Sequence, residues 1–403
     1  MAVKKKLTIA DIGHVGPGTP AGKWFRQYWV AVWRAEDLKD IPQAVRVLGE
    51  ELVLFRDLQG RIGLLGLHCS HRGTSLEYGD IEEHGIRWPY HGWLYDTTGQ
   101  CLDQPVEPRG STFCEKIKHL AYPVRELGGL IFAYLGPHKE SPPPLPRYSP
   151  LVRGDGVRYI YPPRHLDFSW FNFFENAADL LHAYILHKPS RQATRSFENR
   201  FWEYYTEHGA PALNAIETEH GMRAILHWPS PEPEREYFQQ IDIVLPSIFA
   251  IGNEEIEEVG SERVLFATPI DDHSCVVYRT DFHAGSDAEF LKQRHARNVA
   301  SPSQPVTEND KRKYVPFKGQ TFKEDYVCMV TQGAIGYRAE HLATSDKGVI
   351  LLRKMVLDSI ENVIGSAAPK GIFAHEQTDE IFRLQGLRTI LPQARVAEFL
   401  NGS

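Results

Sequence analysis

Apolar residues arrive in two different rhythms along this chain. Between about residues 44 and 136 they come as short runs separated by tight turns. Val45-Arg46-Val47-Leu48, Glu51-Leu52-Val53-Leu54-Phe55 and Ile62-Gly63-Leu64-Leu65 cluster or alternate β-formers, and Gly128-Gly129-Leu130-Ile131-Phe132-Ala133-Tyr134 closes the series. Runs of this length bounded by turn residues predict strands, so a small all-β domain is expected here. Ahead of it, residues 10–36 form an entry segment. Gly16-Pro17-Gly18-Thr19-Pro20 supplies a turn, and Trp24, Phe25, Tyr28, Trp29 and Trp33 supply apolar anchors. Ser141-Pro142-Pro143-Pro144-Leu145-Pro146 interrupts the pattern, because consecutive prolines favour extended geometry over helix. It divides the chain into 1–140 and 141–403.

Beyond that point the rhythm mixes. Residues 165–188 carry helical spacing, strand-like runs recur around 222–228, 239–251, 262–269 and 274–282, and a final helical stretch at 346–363 sets Val349, Leu352, Val356 and Ile360 on one face. An antiparallel sheet with a long helix packed on it, an α+β layout, is predicted. Glu254-Glu255-Ile256-Glu257-Glu258 reads as a solvated acidic loop.

Composition narrows the function classes. The 403 residues carry 45 Lys+Arg against 52 Asp+Glu, a formal charge of −7, so no basic surplus exists to neutralise phosphates, and a general nucleic-acid partner is not expected. No apolar stretch approaches the roughly 18 residues of a membrane span, and the N-terminus lacks a signal-peptide core, so a cytoplasmic protein with no membrane partner is expected. Five cysteines, Cys69, Cys101, Cys114, Cys275 and Cys328, are odd in number and widely scattered. They make no disulfide framework, and any special one is better read as a metal ligand.

The first candidate site is Leu67-His68-Cys69-Ser70-His71-Arg72-Gly73, followed after 16 intervening residues from His71 by Trp88-Pro89-Tyr90-His91-Gly92-Trp93. A 2Fe–2S centre with two Cys on one iron and two His on the other needs paired loops, each offering a thiolate and an imidazole. Spacing and flanks, through Tyr95-Asp96 and Gly99, resemble the Rieske motif, C-x-H and then C-x-x-H. The resemblance assigns Cys69, His71 and His91 to the cluster. It fails at one place, because Trp88 stands where the second cysteine belongs, and an indole offers only an N–H donor. A labile or absent cluster is expected, with Cys101 the available substitute thiol in the same domain. A single-base change interconverts Cys and Trp codons.

The second candidate site runs from Glu175-Asn176-Ala177-Ala178-Asp179 through His182 to His187. On a regular helix of about 100° per residue, Glu175, Asp179 and His182 share a stripe, while His187 falls about 140° from His182. Pro189 disfavours helix at Lys188, so the helix is expected to end there and let His187 swing round. Two imidazoles and a carboxylate suit non-haem Fe(II) with open positions for oxygen, and zinc would also suit.

E-N-x-x-D-x-x-H-x4-H resembles the mononuclear-iron motif of Rieske non-haem iron oxygenase alpha subunits. Gly16–Pro20 with Tyr28-Trp29, and Glu340-His341-Leu342, look like the phthalate dioxygenase branch of that family. The resemblance implies a helix-grip, START-like catalytic domain behind the all-β Rieske domain, with His182 and His187 as iron ligands. Asp179 would bridge to the Rieske histidine of a neighbouring subunit, here His91. In Phe322-Lys323-Glu324-Asp325-Tyr326 the family's acidic pair assigns Asp325 as third ligand. Asp346, in a helix-cap signature, and Asp358, on a solvated helix position, are its competitors. A 2Fe–2S cluster and mononuclear Fe(II) would be the cofactors. An aromatic, carboxylated substrate and dioxygen, a reductase or ferredoxin donor, and a homotrimer would be the partners. The outcome would be hydroxylation, dihydroxylation or O-demethylation. Trp88 supports the other reading, a redox-silent relative that binds an aromatic ligand without oxidising it. The roughly 260 residues after the linker exceed what a small Rieske electron carrier needs.

Overall fold

The computed structural model describes residues 6–187, 210–230, 233–252, 261–286, 289, 321–374 and 379–400. Pro189 and the acidic stretch at 254–258 lie outside the described residues.

The first rhythm folds as three small antiparallel sheets. One pairs Gln43–Val47, Glu50–Arg56, Ile62–Gly66 and Ala121–Tyr122 in that order, and another pairs Asp80–Glu82, Gly85–Arg87, Leu94–Tyr95 and Cys101–Asp103. The third sets Leu130–Tyr134 between Trp29–Arg34 and Val124–Leu127. Val53, Phe55, Leu65, Ile86 and Tyr95 are all fully buried, and they share a core with Cys69, Trp88 and Trp93. The first hairpin turns on Leu48 and Gly49, both at positive φ (51° and 78°), the conformation of a two-residue type I′ turn.

The second rhythm folds as a nine-stranded antiparallel sheet. Its main path runs Gly156–Ile160, Cys275–Ala284, Ser261–Pro269, Ile248–Ile251, Arg235–Val244, Gly221–Pro229, Ala212–Glu217. Arg164–Leu166 also pairs with Cys275–Ala284, and Leu387–Pro392 with Arg235–Val244. The run expected at 239–251 is two strands rather than one, because Pro246 has no N–H with which to continue a ladder. Four helices serve the site: α1 (Trp170–Ala178), α2 (Leu180–Leu186), α3 (Thr321–Thr331) and α4 (Lys347–Ile364). Val349, Leu352, Val356 and Ile360 of α4 are buried, as their spacing predicts. This sheet gripping a long helix is the helix-grip layout.

The helical stretch at 165–188 differs from expectation. Residues 164–166 are a strand, and the helix breaks at Asp179 (φ −90°, ψ 73°), well before Pro189. Glu175 therefore leaves the expected stripe with Asp179 and His182. It lies among arginines instead: Arg353 Nε donates to Glu175 Oε1, Arg338 Nη2 donates to Oε2 at 2.7 Å, and Glu340 takes the other side of Arg353 at 2.6 and 2.9 Å. This buried network ties the end of α1 to α4.

The two halves share polar bonds across their seam. Leu48 and Gly49 N–H donate to Pro269 and Ile270 carbonyls at 2.9 and 2.8 Å. Thr268 Oγ1 donates to Ala31 O at 2.7 Å and Tyr278 OH to Val32 O at 2.5 Å. Pro143 O, in the proline segment, accepts from Trp29 Nε1 at 2.7 Å.

Removing one partner from a buried ion-pair network leaves the others charged and desolvated. Glu175→Ala should therefore lower folding stability by about 3 kcal/mol in urea unfolding, with Glu175→Gln losing less.

Candidate metal centres

His182 on α2, His187 at the C-terminal end of α2 and Asp325 on α3 converge on one point. His182 Nε2 and His187 Nε2 lie 3.2 and 3.1 Å from Asp325 Oδ1, on α3. One ligand atom from each of the three residues falls within 4.8 Å of the others. The far side of each ring is pinned. His182 Nδ1 meets the Asp179 carbonyl, and His187 Nδ1 meets Glu324 Oε2 at 2.8 Å. A carbonyl can only accept, so Nδ1 of His182 carries the proton and its Nε2 presents a lone pair.

Asp325 Oδ1 is buried and makes no hydrogen bond among the described residues, although two imidazoles crowd it. Burial pushes its carboxyl up, but the two histidines outweigh that and hold it below the usual range. Burial pulls His187 down, and Asp325 and Glu324 raise it to a net upward shift. An orphaned buried carboxylate oxygen between two outward-facing lone pairs is a donor set a divalent cation would satisfy, and two His with one carboxylate suits Fe(II). These residues fit a mononuclear iron.

The other expected residues fall as follows. Asp179 joins α1 to α2, with its N–H closing α1 on Glu175 and Asn176 carbonyls and its side chain 34% exposed. Burial raises its carboxyl. Asp346 accepts from Ala343 N–H at 2.7 Å beside the start of α4, and Asp358 pairs with Lys354 on the exposed face at 2.8 Å. Neither joins the cluster of three. Glu324 was only half of an acidic pair in the sequence. It is 1% exposed and holds His187, a role its adjacency to Asp325 on one helix turn hints at but does not state.

In the first domain two loops repeat one geometry. Cys69 N–H donates to Thr74 O at 2.9 Å and Cys69 O accepts from Gly73 N–H at 2.8 Å. Trp88 N–H donates to Trp93 O, and Trp88 O accepts from Gly92 N–H, both at 2.9 Å. Gly73 and Gly92 both sit near φ +75° (75° and 76°), which glycine adopts freely. Trp88 thus occupies the backbone position equivalent to Cys69.

The His71 and His91 rings lie 4.4 Å apart, nearly perpendicular, and both Nδ1 atoms are buried without a hydrogen-bond partner among the described residues. His71 stacks on Trp93 at 4.5 Å, and Cys69 Sγ lies 3.2 Å from the Tyr95 hydroxyl. The imidazole half fits a 2Fe–2S cluster; the thiolate half does not, since Trp88 is a buried indole. Cys101 Sγ points to Asp103 O at 3.7 Å, and burial pushes its thiol up to about 11. Cys69, His71 and His91 are the donor side chains these two loops offer, and Trp88 offers none.

A cavity of about 300 Å³ opens on the three metal-site residues. Phe173, Leu180, Ile241, Phe249, Leu265 and Val277 give it apolar walls, and Arg164, Arg263, Arg279 and Arg388 add charge that no sequence motif announces.

A paired-loop imidazole site on small sheets, joined to a helix-grip domain with two histidines and a carboxylate beneath a cavity, defines the Rieske-type oxygenases. Comparison agrees: residues 28–121 match the family described as Rieske [2Fe-2S] domain. The chain is 35% identical over 394 residues to phenoxybenzoate dioxygenase subunit alpha of Ectopseudomonas oleovorans, covering 93% of this chain and 90% of that one. It is 29% identical over 370 residues to the phthalate 4,5-dioxygenase oxygenase subunit of Pseudomonas putida, covering 85% and 82%. The crystal structure of dicamba monooxygenase bound to dicamba shares its fold (TM-score 0.61, 20% identity, 85% and 99% covered). The chain belongs to the Rieske non-haem iron oxygenase alpha subunits, in the phthalate dioxygenase-like branch, whose cofactors are a Rieske cluster and a mononuclear iron.

Partners that fix a ligating histidine are worth about 10–100-fold in metal affinity. Glu324→Ala should weaken Co(II) binding, followed by its visible absorption, by about that factor. Glu324→Gln, which can still accept the His187 bond, should lose less, and His182→Ala should abolish binding.

Proposed function

We propose that this enzyme is a terminal oxygenase component that hydroxylates, dihydroxylates or O-demethylates an aromatic substrate, with His182, His187 and Asp325 holding its mononuclear iron. The observation that carries this reading is the convergence of those three side chains at a cavity of about 300 Å³ with apolar walls on one part and arginines on another. The iron, when bound, supplies dioxygen activation. The chain's own residues do the rest. Phe173, Phe249 and the aliphatic walls hold a ring and exclude water; Glu324 and the Asp179 carbonyl keep both imidazoles turned towards the metal position. Cys69, His71 and His91 are assigned to the Rieske seat.

A reductase or ferredoxin is the electron donor of such components. We read the assembly as a homotrimer in the cytoplasm, with domains at 1–140 and 141–403. The part-exposed Asp179 would face His91 of a neighbouring copy. Among the described residues no helix is long and apolar enough to cross a membrane.

Trp88 makes the electron-entry domain of this chain impaired. It also supports the second reading, a redox-silent relative whose cavity binds an aromatic ligand without oxidising it. Anaerobic iron–sulfur reconstitution separates these. The unaltered chain should show weak or no reduced-state EPR signal of a His-ligated 2Fe–2S centre, and Trp88→Cys should recover it. A full signal in the unaltered chain would overturn the assignment of Trp88. A Trp88→Cys form that carries the cluster and iron, accepts electrons and still oxidises none of a panel of aromatic acids and ethers would favour the redox-silent reading.

A further inference from the structure

Two glutamines stand side by side on strand Arg235–Val244, and the pleat sends them to opposite faces of the sheet. Gln240 is 1% exposed, and its Nε2 donates to Asp242 Oδ1 at 3.1 Å and to Gln385 Oε1 at 3.3 Å. Gln239 shares its face with Ile241, and both line the cavity above the metal-site residues. It is 7% exposed, so nearly all of it is withdrawn from bulk water, yet its side-chain amide makes no hydrogen bond among the described residues. Buried amides are nearly always paired, because an unpaired one carries the full desolvation penalty of its missing bonds.

The sheet does not supply what this amide needs. Its two N–H groups require an acceptor. In the strand register Gln239 lies between Leu226 on Gly221–Pro229 and Arg388 on Leu387–Pro392. An alkyl chain and a guanidinium group offer no acceptor atom. Asp325, the carboxylate that lines the cavity, faces His182 and His187. An acceptor for Gln239 therefore comes from whatever occupies the cavity. The carboxamide is uncharged, so it does little to offset the desolvation of an anion, whereas a neutral oxygen is cheap to bury and takes one N–H.

We propose that Gln239 is a specificity residue of this cavity: its amide donates to a neutral oxygen carried by the substrate's ring, an aryl ether or phenol oxygen, while the ring lies against Ile241, Phe249 and Leu265. The proposal rests on the reading of the cavity as the substrate site and deepens it by naming a substituent that the aromatic substrate bears. A site built to hydrogen-bond such an oxygen rejects the analogue that lacks it, because its own buried amide is then left unpaired.

The test is equilibrium binding of 4-methoxybenzoate and 4-ethylbenzoate to the full chain loaded with Co(II), by calorimetry and by the metal's visible spectrum. The two probes share ring, carboxylate and shape and differ only in an ether oxygen replaced by a methylene, so every contact to the acid group cancels. The unaltered chain should prefer the methoxy probe by about 3–10-fold. Gln239→Leu, of similar size but with no donor, should abolish or reverse that preference while binding 4-ethylbenzoate at least as tightly as the unaltered chain does. Retained Co(II) binding and an unchanged melting temperature establish that the variant is folded; Gln239→Met, a second donor-free side chain of similar length, gives the same comparison if the Leu form is not. No preference in the unaltered chain, or a preference that survives in the donor-free variant, would overturn the role of Gln239 alone. If neither probe perturbs the Co(II) spectrum of the unaltered chain or releases heat, the substrate-site reading falls, and this proposal with it.

Discussion

A carboxylate oxygen buried between two imidazole nitrogens is the constraint around which the catalytic half is arranged. Among the described residues Asp325 Oδ1 has no hydrogen bond, and both Nε2 atoms approach within 3.2 Å. Such a group is tolerated only if something cationic completes it. The surrounding structure frames that geometry: α2 ends at Leu186 and frees His187, Glu324 is buried against His187, and the Glu175 network ties the end of α1 to α4. The metal position is the sum of local backbone choices, each enforced by packing at some distance from it.

The Rieske-type domain shows the opposite relation between backbone and chemistry. Its two loops keep matched hydrogen bonds and matched glycines, although one presents a thiol and the other an indole. The loop fold is set by backbone pairing and positive-φ glycines, not by the ligand side chain. A buried Trp88 contributes apolar contact to the core of Phe55, Ile86 and Tyr95. An indole at one loop is therefore compatible with retention of the domain.

Much of this was legible in the sequence, for physical reasons that differ by element. The helix face of Val349, Leu352, Val356 and Ile360 and the strands through 221–284 follow local periodicity. The paired loops that carry Cys69, His71 and His91 were visible because their turn residues recur at short spacing. Asp325 came from resemblance, since no local rule links it to His187 across the intervening chain. The strand Leu387–Pro392 was missed because its pairing with Arg235–Val244 is long-range. Arg263 and Arg279 of the cavity were missed because their pairing with Asp281 exists only once strand register aligns them. The helix end expected just before Pro189 is met, since Leu180–Leu186 closes at His187; the additional break at Asp179 was missed because no proline or glycine marks it in the sequence.

The hairpin tip at Leu48 and Gly49 has a consequence for how this protein can change over time. Its two N–H groups, with the Thr268 and Tyr278 hydroxyls, stitch the N-terminal sheets to the catalytic sheet through bonds to main-chain atoms. The Leu48 and Gly49 stitches depend on backbone position alone, so side-chain drift there hardly touches them, whereas the other two need the Thr268 and Tyr278 hydroxyls. The N-terminal domain is consequently a structural buttress of the oxygenase pocket in its own right.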